Sequence, residues 1–186
     1  IIKYHSFSSL RNDPKCEHFG ICGGCKWQNM IYDSQVRLKE NKIKHSIQNI
    51  SKKIEIQPII KCKEQYYYRN KLEFSFTENR WLTNKEIQSE EKEIERRGVG
   101  FHISGMWDKV IDINNCHLQS NPSNKIRLAV KNFAINHEIS FYNSRSKKGL
   151  LRNLMIRNTS LDEFMVIIQF FENDIKKINL ILSHLK

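Results

Sequence analysis

Three cysteines inside one short stretch constrain this chain more than any other feature. Cys16-Glu-His-Phe-Gly-Ile-Cys22-Gly-Gly-Cys25 has a C-x₅-C-x₂-C spacing, with Gly20, Gly23 and Gly24 between the thiols. Glycine admits the positive φ and close approach that a chain wrapping a central object needs, so the stretch reads as a loop. Thiolates brought to one point repel unless a cation neutralises them, which points to a metal or iron–sulfur site. A fourth ligand must then come from elsewhere. Cys62 lies in a lysine-rich stretch, whereas Cys116 follows the apolar run before Asp112-Ile-Asn-Asn-Cys116, where a strand end can deliver it. The expected ligands are therefore Cys16, Cys22, Cys25 and Cys116, with Cys62 left out.

Other uses of these cysteines fit less well. A structural zinc site usually shows two C-x₂-C knuckles, and the first gap here is too long for one. Disulfides suit secreted chains, and this one is lysine-rich with an odd number of cysteines, five. The spacing also differs from the ferredoxin C-x₂-C-x₂-C pattern. Spacing alone leaves zinc and an iron–sulfur cluster both open.

The charge is lopsided: 31 Lys and Arg against 20 Asp and Glu, a formal net +11 over 186 residues. Such a surplus favours a polyanionic partner, and with no amphipathic anchor that partner is nucleic acid rather than a membrane. No apolar run approaches the ~18 residues of a membrane span. Residues 1–10 lack the apolar core of a signal peptide, so a cytoplasmic location is expected, which suits reduced thiols.

Periodicity supplies the elements. Asp33 can cap a helix to about Ile50, with Val36, Ile43, Ile47 and Ile50 as its apolar stripe. Ile54 to Ile60 alternates like an edge strand containing Pro58. The clearest period-two pattern runs from Tyr66 to Thr77: Tyr66, Tyr68, Leu72, Phe74 and Phe76 on one face, Arg69, Lys71, Glu73 and Ser75 on the other. The charged run 84–97 reads as an exposed hairpin loop or a short solvated helix. Strands follow at Val99–Ile103 and Trp107–Ile113, around a turn at Ser104-Gly105. A helix starts at Asn121-Pro122, with Asn as cap and Ile126, Val130 and Phe133 inward. Further strands fall at Ile139–Tyr142, Leu150–Arg157 and Phe164–Phe171, the last apolar on both faces and so expected in the middle of the sheet. Asn173 or Asp174 caps a final helix with Ile175, Ile178, Leu182 and Leu185 inward. The fold class is α/β (α+β): a mixed, largely antiparallel sheet with a few packed helices and a Cys-rich loop.

The cysteine stretch, continued by Trp27-Gln28, Tyr32 and Gln35, resembles the 23S ribosomal RNA (uracil-5-)-methyltransferase family. Tyr68-Arg69-Asn70-Lys71 is similar to that family's Tyr-Arg-Asn-Lys strand, and Gly149 to Arg157 to its Gly-x-x-Arg-x-x-x-x-Arg strand. The resemblance implies a [4Fe–4S] cluster on this loop, with the fourth cysteine distant and after an Asp-Ile pair. It implies ribosomal RNA as partner and S-adenosylmethionine as methyl donor of the whole enzyme. In the family a flipped uracil is attacked at carbon 6 by a cysteine and methylated at carbon 5. No Gly-rich cofactor loop and no cysteine in the nucleophile's context occur here, so no catalytic or cofactor-binding residue is assigned. The family's small RNA-binding barrel ahead of the cluster is not seen either. The expectation is the cluster-bearing middle of such an enzyme, inactive alone. It comprises an N-terminal segment and cluster loop (1–32), a helix and connector packing on the absent catalytic domain (33–65), and a central RNA-recognition domain (66–186). With its helical stripe uncovered, the fragment is expected to self-associate. Arg69, Lys71, Arg152 and Arg157 are the RNA-contact candidates, with Arg152 and Arg157 alternatively internal ion-pair residues. The competing functional reading is a stand-alone basic zinc module that binds nucleic acid. An electron carrier fits worse, because it needs neither the basic surface nor the aromatic strands.

Overall fold

The computed structural model describes residue 3 and residues 5–51, 53–89 and 93–186; residues 90–92 of the charged run lie outside the described residues. The chain forms two compact units, one of residues 1–19 and 25–65, the other of residues 20–24 and 66–186.

Among the described residues, the first unit contains one regular element, α1 (Tyr32–Gln48). Its N-cap is Ile31 rather than Asp33, which lies in the first turn and has its carboxylate on Lys61 at 2.7 Å. An acid there still favours the helix by meeting the positive end of its dipole. Of the expected stripe only Val36 is buried; Ile43 is 56% exposed and Ile50 80%. Residues 54–60 form no strand; no ladder partner lies along them among the described residues, and an unpaired strand leaves its backbone groups to water.

The second unit is built on one antiparallel sheet. Its strands are β1 (Lys71–Thr77), β2 (Gly98–Ile103), β3 (Met106–Asp112), β4 (Leu151–Asn158) and β5 (Phe164–Phe170), in the order β3-β2-β1-β4-β5. The β2–β3 turn has Gly105 at φ +79°. Leu72, Phe74 and Phe76 of β1, Val99 of β2 and Leu154 and Ile156 of β4 are all buried. β1 starts five residues later than its alternation implies, because Tyr67 takes φ +58° and breaks the extended run. The segment instead hydrogen-bonds to the stretch after Cys116: Tyr67 N–H to the His117 carbonyl and Arg69 N–H to that of Leu118, both at 2.8 Å.

Two more expectations fail in an informative way. β5 is an edge strand, with Met165 and Ile167 exposed; an apolar run shows that both faces are greasy, not that both are covered. Ile139–Tyr142 makes only a single bridge, Phe141 to Leu151, although Ile139 and Phe141 are buried.

The helices of this unit are α2 (Asn84–Ile87), α3 (Asn121–Asn136) and α4 (Ile175–His184). Thr83 and Glu86 form a reciprocal capping box on α2. Asp174 caps α4 by accepting from Lys177 N–H, as its sequence implies. On α4 it is Ile181 that is buried, while Ile175 and Leu182 stay exposed. On α3 the cap is Ser120, and the buried face is Ser123, Asn124, Arg127, Val130 and Ala134; of the expected stripe Val130 is buried, while Ile126 and Phe133 are half-buried. That polar face leads directly to the site.

Candidate functional site

In the first unit, the Cys16 N–H donates to Gln28 Oε1 at 3.1 Å. Gln35 Nε2 donates to the carbonyls of Trp27 (3.0 Å) and Met30 (2.8 Å), so both glutamines of the motif serve as braces of the loop. Burial pushes the Cys16 thiol up; nearby Cys25 and Glu17 push the same way, and a hydrogen bond from the His18 backbone opposes them. Such surroundings disfavour a bare thiolate. Cys62 is exposed; its N–H donates to the Tyr32 hydroxyl at 2.8 Å and its thiol to the Glu64 carbonyl.

In the second unit, Cys22 bridges to Ile103, and the Gly23 N–H donates to the His102 carbonyl at 2.9 Å. A Cβ on Gly23 would lie 2.5 Å from that oxygen, so the approach of the loop to β2 depends on glycine. The Gly24 N–H points at Cys22 Sγ from 3.4 Å, the kind of bond that supports a sulfur carrying negative charge.

Cys116 is buried at the end of β3's continuation. One side chain holds its main chain on both sides: Asn124 Oδ1 accepts the Cys116 N–H (2.9 Å) and Asn124 Nδ2 donates to the Cys116 carbonyl (3.1 Å). Three residues on, Gln119 is fully buried, donating to the Ile156 carbonyl at 3.0 Å and accepting from Ser123. Arg127 is the largest fully buried side chain among the described residues. Its guanidinium donates to the carbonyls of Val99, Ile113 and Asn114 and to Asn124 Oδ1, while its Nε finds no acceptor among the described residues. Burial pulls its pKa down to about 10, against the opposing fields of Asp112 and Cys116. Sequence reasoning missed Arg127 and Asn124, since two polar residues near a helix start read as solvated.

The four expected ligands are thus divided two and two between the units. Among the described residues no three His, Cys, Asp or Glu side chains are gathered as around a single metal ion. A four-iron cluster spreads its thiolates over four irons instead of drawing them to one centre. Three features fit an anionic, sulfur-ligated group: the amide on Cys22 Sγ, the doubly held backbone of Cys116, and the buried cation beside it.

Of the RNA candidates, the structure brings Lys71 and Arg157 together as direct cross-strand partners. Both are exposed, and neither forms an ion pair among the described residues, so the internal-pair alternative does not hold for Arg157. Like charges facing each other across a ladder destabilise it unless an anion answers them. Arg69 is exposed just before β1. Arg152 sits apart, half-buried at the β4–β5 register shift, its guanidinium 4.9 Å from the Tyr142 ring and 5.7 Å from that of Phe171. It lines a hollow of about 650 Å³ with Glu73, Ser75, His102, Trp107 and Asn153. Asn153 there bonds Glu73 (3.1 Å) and Gln169 (3.0 Å), and Ser75 shares a hydrogen bond with His102. No helix of the described residues is long and apolar enough to cross a membrane.

The chain is 46% identical over 169 residues to a Bacteroides thetaiotaomicron protein named an uncharacterized RNA methyltransferase, covering 90% of this chain and 37% of that protein. A Porphyromonas gingivalis protein of the same description is 42% identical over 182 residues, 94% of this chain and 39% of the other. The tRNA (uracil(54)-C(5))-methyltransferase of Pyrococcus abyssi is 28% identical over 160 residues, 86% of this chain and 34% of that enzyme. The crystal structure of that Pyrococcus enzyme in complex with S-adenosyl-L-homocysteine matches with a TM-score of 0.65 at 23% identity, over 94% of this chain and 35% of that one. No family model matches. The chain is homologous to a region of RNA methyltransferases and spans little more than a third of their length.

Proposed function

We propose that this chain is the cluster-bearing, RNA-recognising region of an S-adenosylmethionine-dependent RNA (uracil-C5) methyltransferase acting on ribosomal RNA in the cytoplasm. The observation that carries the reading is the 46% identity to a protein named an RNA methyltransferase over 90% of the chain. The uracil-C5 chemistry is supported by the Pyrococcus relative, and the resemblance of the strand motifs around Arg69 and Arg157 implies the same chemistry. Ribosomal RNA is what the resemblance carried by Cys16, Cys22 and Cys25 and the two strand motifs implies.

Cys16, Cys22, Cys25 and Cys116 would hold a [4Fe–4S] cluster. When bound, such a group supplies strong iron–sulfur bonds that order loops with little regular structure of their own. Lys71 and Arg157 offer paired cations to a phosphate, Arg69 extends that basic strip, and Arg152 presents a guanidinium already stacked on rings beside the hollow. Methyl transfer and cofactor binding are assigned to none of this chain's residues. The chain alone therefore binds RNA without methylating it.

Anaerobic reconstitution with iron and sulfide, followed by analysis of both, tests the ligand set. About four irons per chain, with a broad brown absorbance, are expected, and Cys116→Ser should lose them while Cys62→Ser keeps them. Uptake of zinc alone overturns the cluster. For RNA, titration of a ribosomal stem-loop at several salt concentrations should give affinity falling steeply with salt. Lys71→Glu with Arg157→Glu should flatten the slope by roughly 0.7–0.9 log units for each phosphate that is no longer neutralised. Equal slopes would place the RNA surface elsewhere. Tighter binding of a transfer RNA arm than of the ribosomal stem-loop would overturn the ribosomal assignment.

A further inference from the structure

We infer that Asn124 and Arg127 form a preformed clamp that presents Cys116 as a ligand: Asn124 sets its backbone, and Arg127 supplies the buried positive charge that answers the anionic sulfur-bound group. The inference rests on the proposed cluster and adds two positioning residues that do not themselves touch iron.

The geometry makes the division of labour. Residues three apart on a helix share a face, and here both side chains are buried in the second unit with Cys116. Asn124 occupies the N–H and the carbonyl of Cys116 together, and its Nδ2 also donates to Asn115 Oδ1 at 2.7 Å. The cysteine main chain is therefore fixed before any iron arrives. Arg127 ties the approach to Cys116 by donating to Ile113 and Asn114.

A purely structural brace would not need a charge. Holding carbonyls requires only N–H groups, and a full cation buried among neutral acceptors carries a desolvation penalty that they do not offset. Asp112, whose field reaches Arg127, does not bond it: its Oδ1 accepts the Val99 N–H and its Oδ2 is taken by Lys131. The spare Nε–H of Arg127, and a guanidinium whose direct partners are all neutral oxygens, are what a site awaiting negative charge displays. A cluster held by four thiolates brings that charge to Cys116, with the cation in the same buried shell.

The test uses the whole chain, wild type and variants, reconstituted anaerobically. Arg127→Met removes the charge but keeps the bulk; Arg127→Lys keeps the charge; Asn124→Ala releases the Cys116 backbone. Far-UV circular dichroism and thermal unfolding of the iron-free protein report the fold. Iron and sulfide content, cluster lifetime in air and the reduction potential report the site. Arg127→Met should keep the iron-free fold, shorten the cluster lifetime by about 10-fold or more, and lower the potential, because a missing positive charge disfavours the more negative reduced state. Arg127→Lys should restore most of the potential. Asn124→Ala should cut iron retention by a similar factor while changing the potential little. If the wild type loads a cluster and Arg127→Met matches it in lifetime and potential, the clamp is wrong and the cluster reading stands. If the wild type takes up no iron and sulfide, the cluster reading itself fails and the clamp with it. Should Arg127→Met not fold, Arg127→Lys and Asn124→Ala still decide: wild-type iron retention in Asn124→Ala, or a potential in Arg127→Lys as far from wild type as charge removal implies, overturns the clamp.

Discussion

The two units treat the same kind of sequence signal in opposite ways. In the second, Leu72, Phe74 and Phe76 of the alternating run are buried, although Tyr68 ahead of β1 is exposed, and Val99, Leu154 and Ile156 of the neighbouring strands are buried with them. In the first, a helical stripe and an alternating run are equally legible, yet only Val36 of the stripe is covered and residues 54–60 make no strand. A periodic pattern states which face is apolar. Whether that face is buried depends on a partner surface, and only the sheet supplies its own.

That contrast predicts a graded mutational response. The largest effect belongs to Phe74, fully buried against Phe101 and under the Arg127 guanidinium. Phe74→Ala should destabilise the second unit by about 3–5 kcal/mol in urea titration, and a loss below ~1 kcal/mol would contradict a packed core there. Next comes Gly23→Ala, which places a methyl against the His102 carbonyl at 2.5 Å. It should cost about 1–3 kcal/mol and lower iron uptake on reconstitution; unchanged uptake would mean the close approach to β2 is dispensable.

Smaller again is the response to acid around α2. The Arg80 side chain and the Thr83 cap hold the Glu86 carboxyl down at about 2, so its stabilisation is present above pH ~4.3 and is lost as pH falls through about 2. Thr83→Ala should cost ~1 kcal/mol and weaken that acid dependence, read by unfolding between pH 2 and 5. Ile43→Ala, on the exposed part of the first unit's helix, should change stability by less than ~0.5 kcal/mol. A clearly larger loss there would show that the stripe is covered in solution and erase the contrast between the units.

The candidate site was readable to different depths. Cysteine spacing nominated Cys16, Cys22 and Cys25, because ligand spacing is a local property of the chain; Cys116 was nominated only by its place after an apolar, strand-like run. Lys71 and Arg157 were each nominated from a strand motif. Their pairing is a matter of register across 86 positions of sequence, and no local pattern carries it. Arg127 and Asn124 gave no signal, since polar residues at the start of a helix normally face water. Their burial follows from where the Cys116 segment lands on α3.

What the sequence alone determined is what short-range physics controls. Alternation placed the β1 core face, glycine placed the Ser104-Gly105 turn, Asn173-Asp174 placed the start of α4, and cysteine spacing named Cys16, Cys22 and Cys25 as ligand candidates. The tertiary structure decided the order β3-β2-β1-β4-β5, which leaves the apolar β5 at an edge, and buried Arg127 beside Cys116. Strand order and buried polar contacts are settled by pairings between distant segments. Those pairings depend on which surfaces are mutually complementary in the folded chain, and a window of neighbouring residues holds no record of that complementarity.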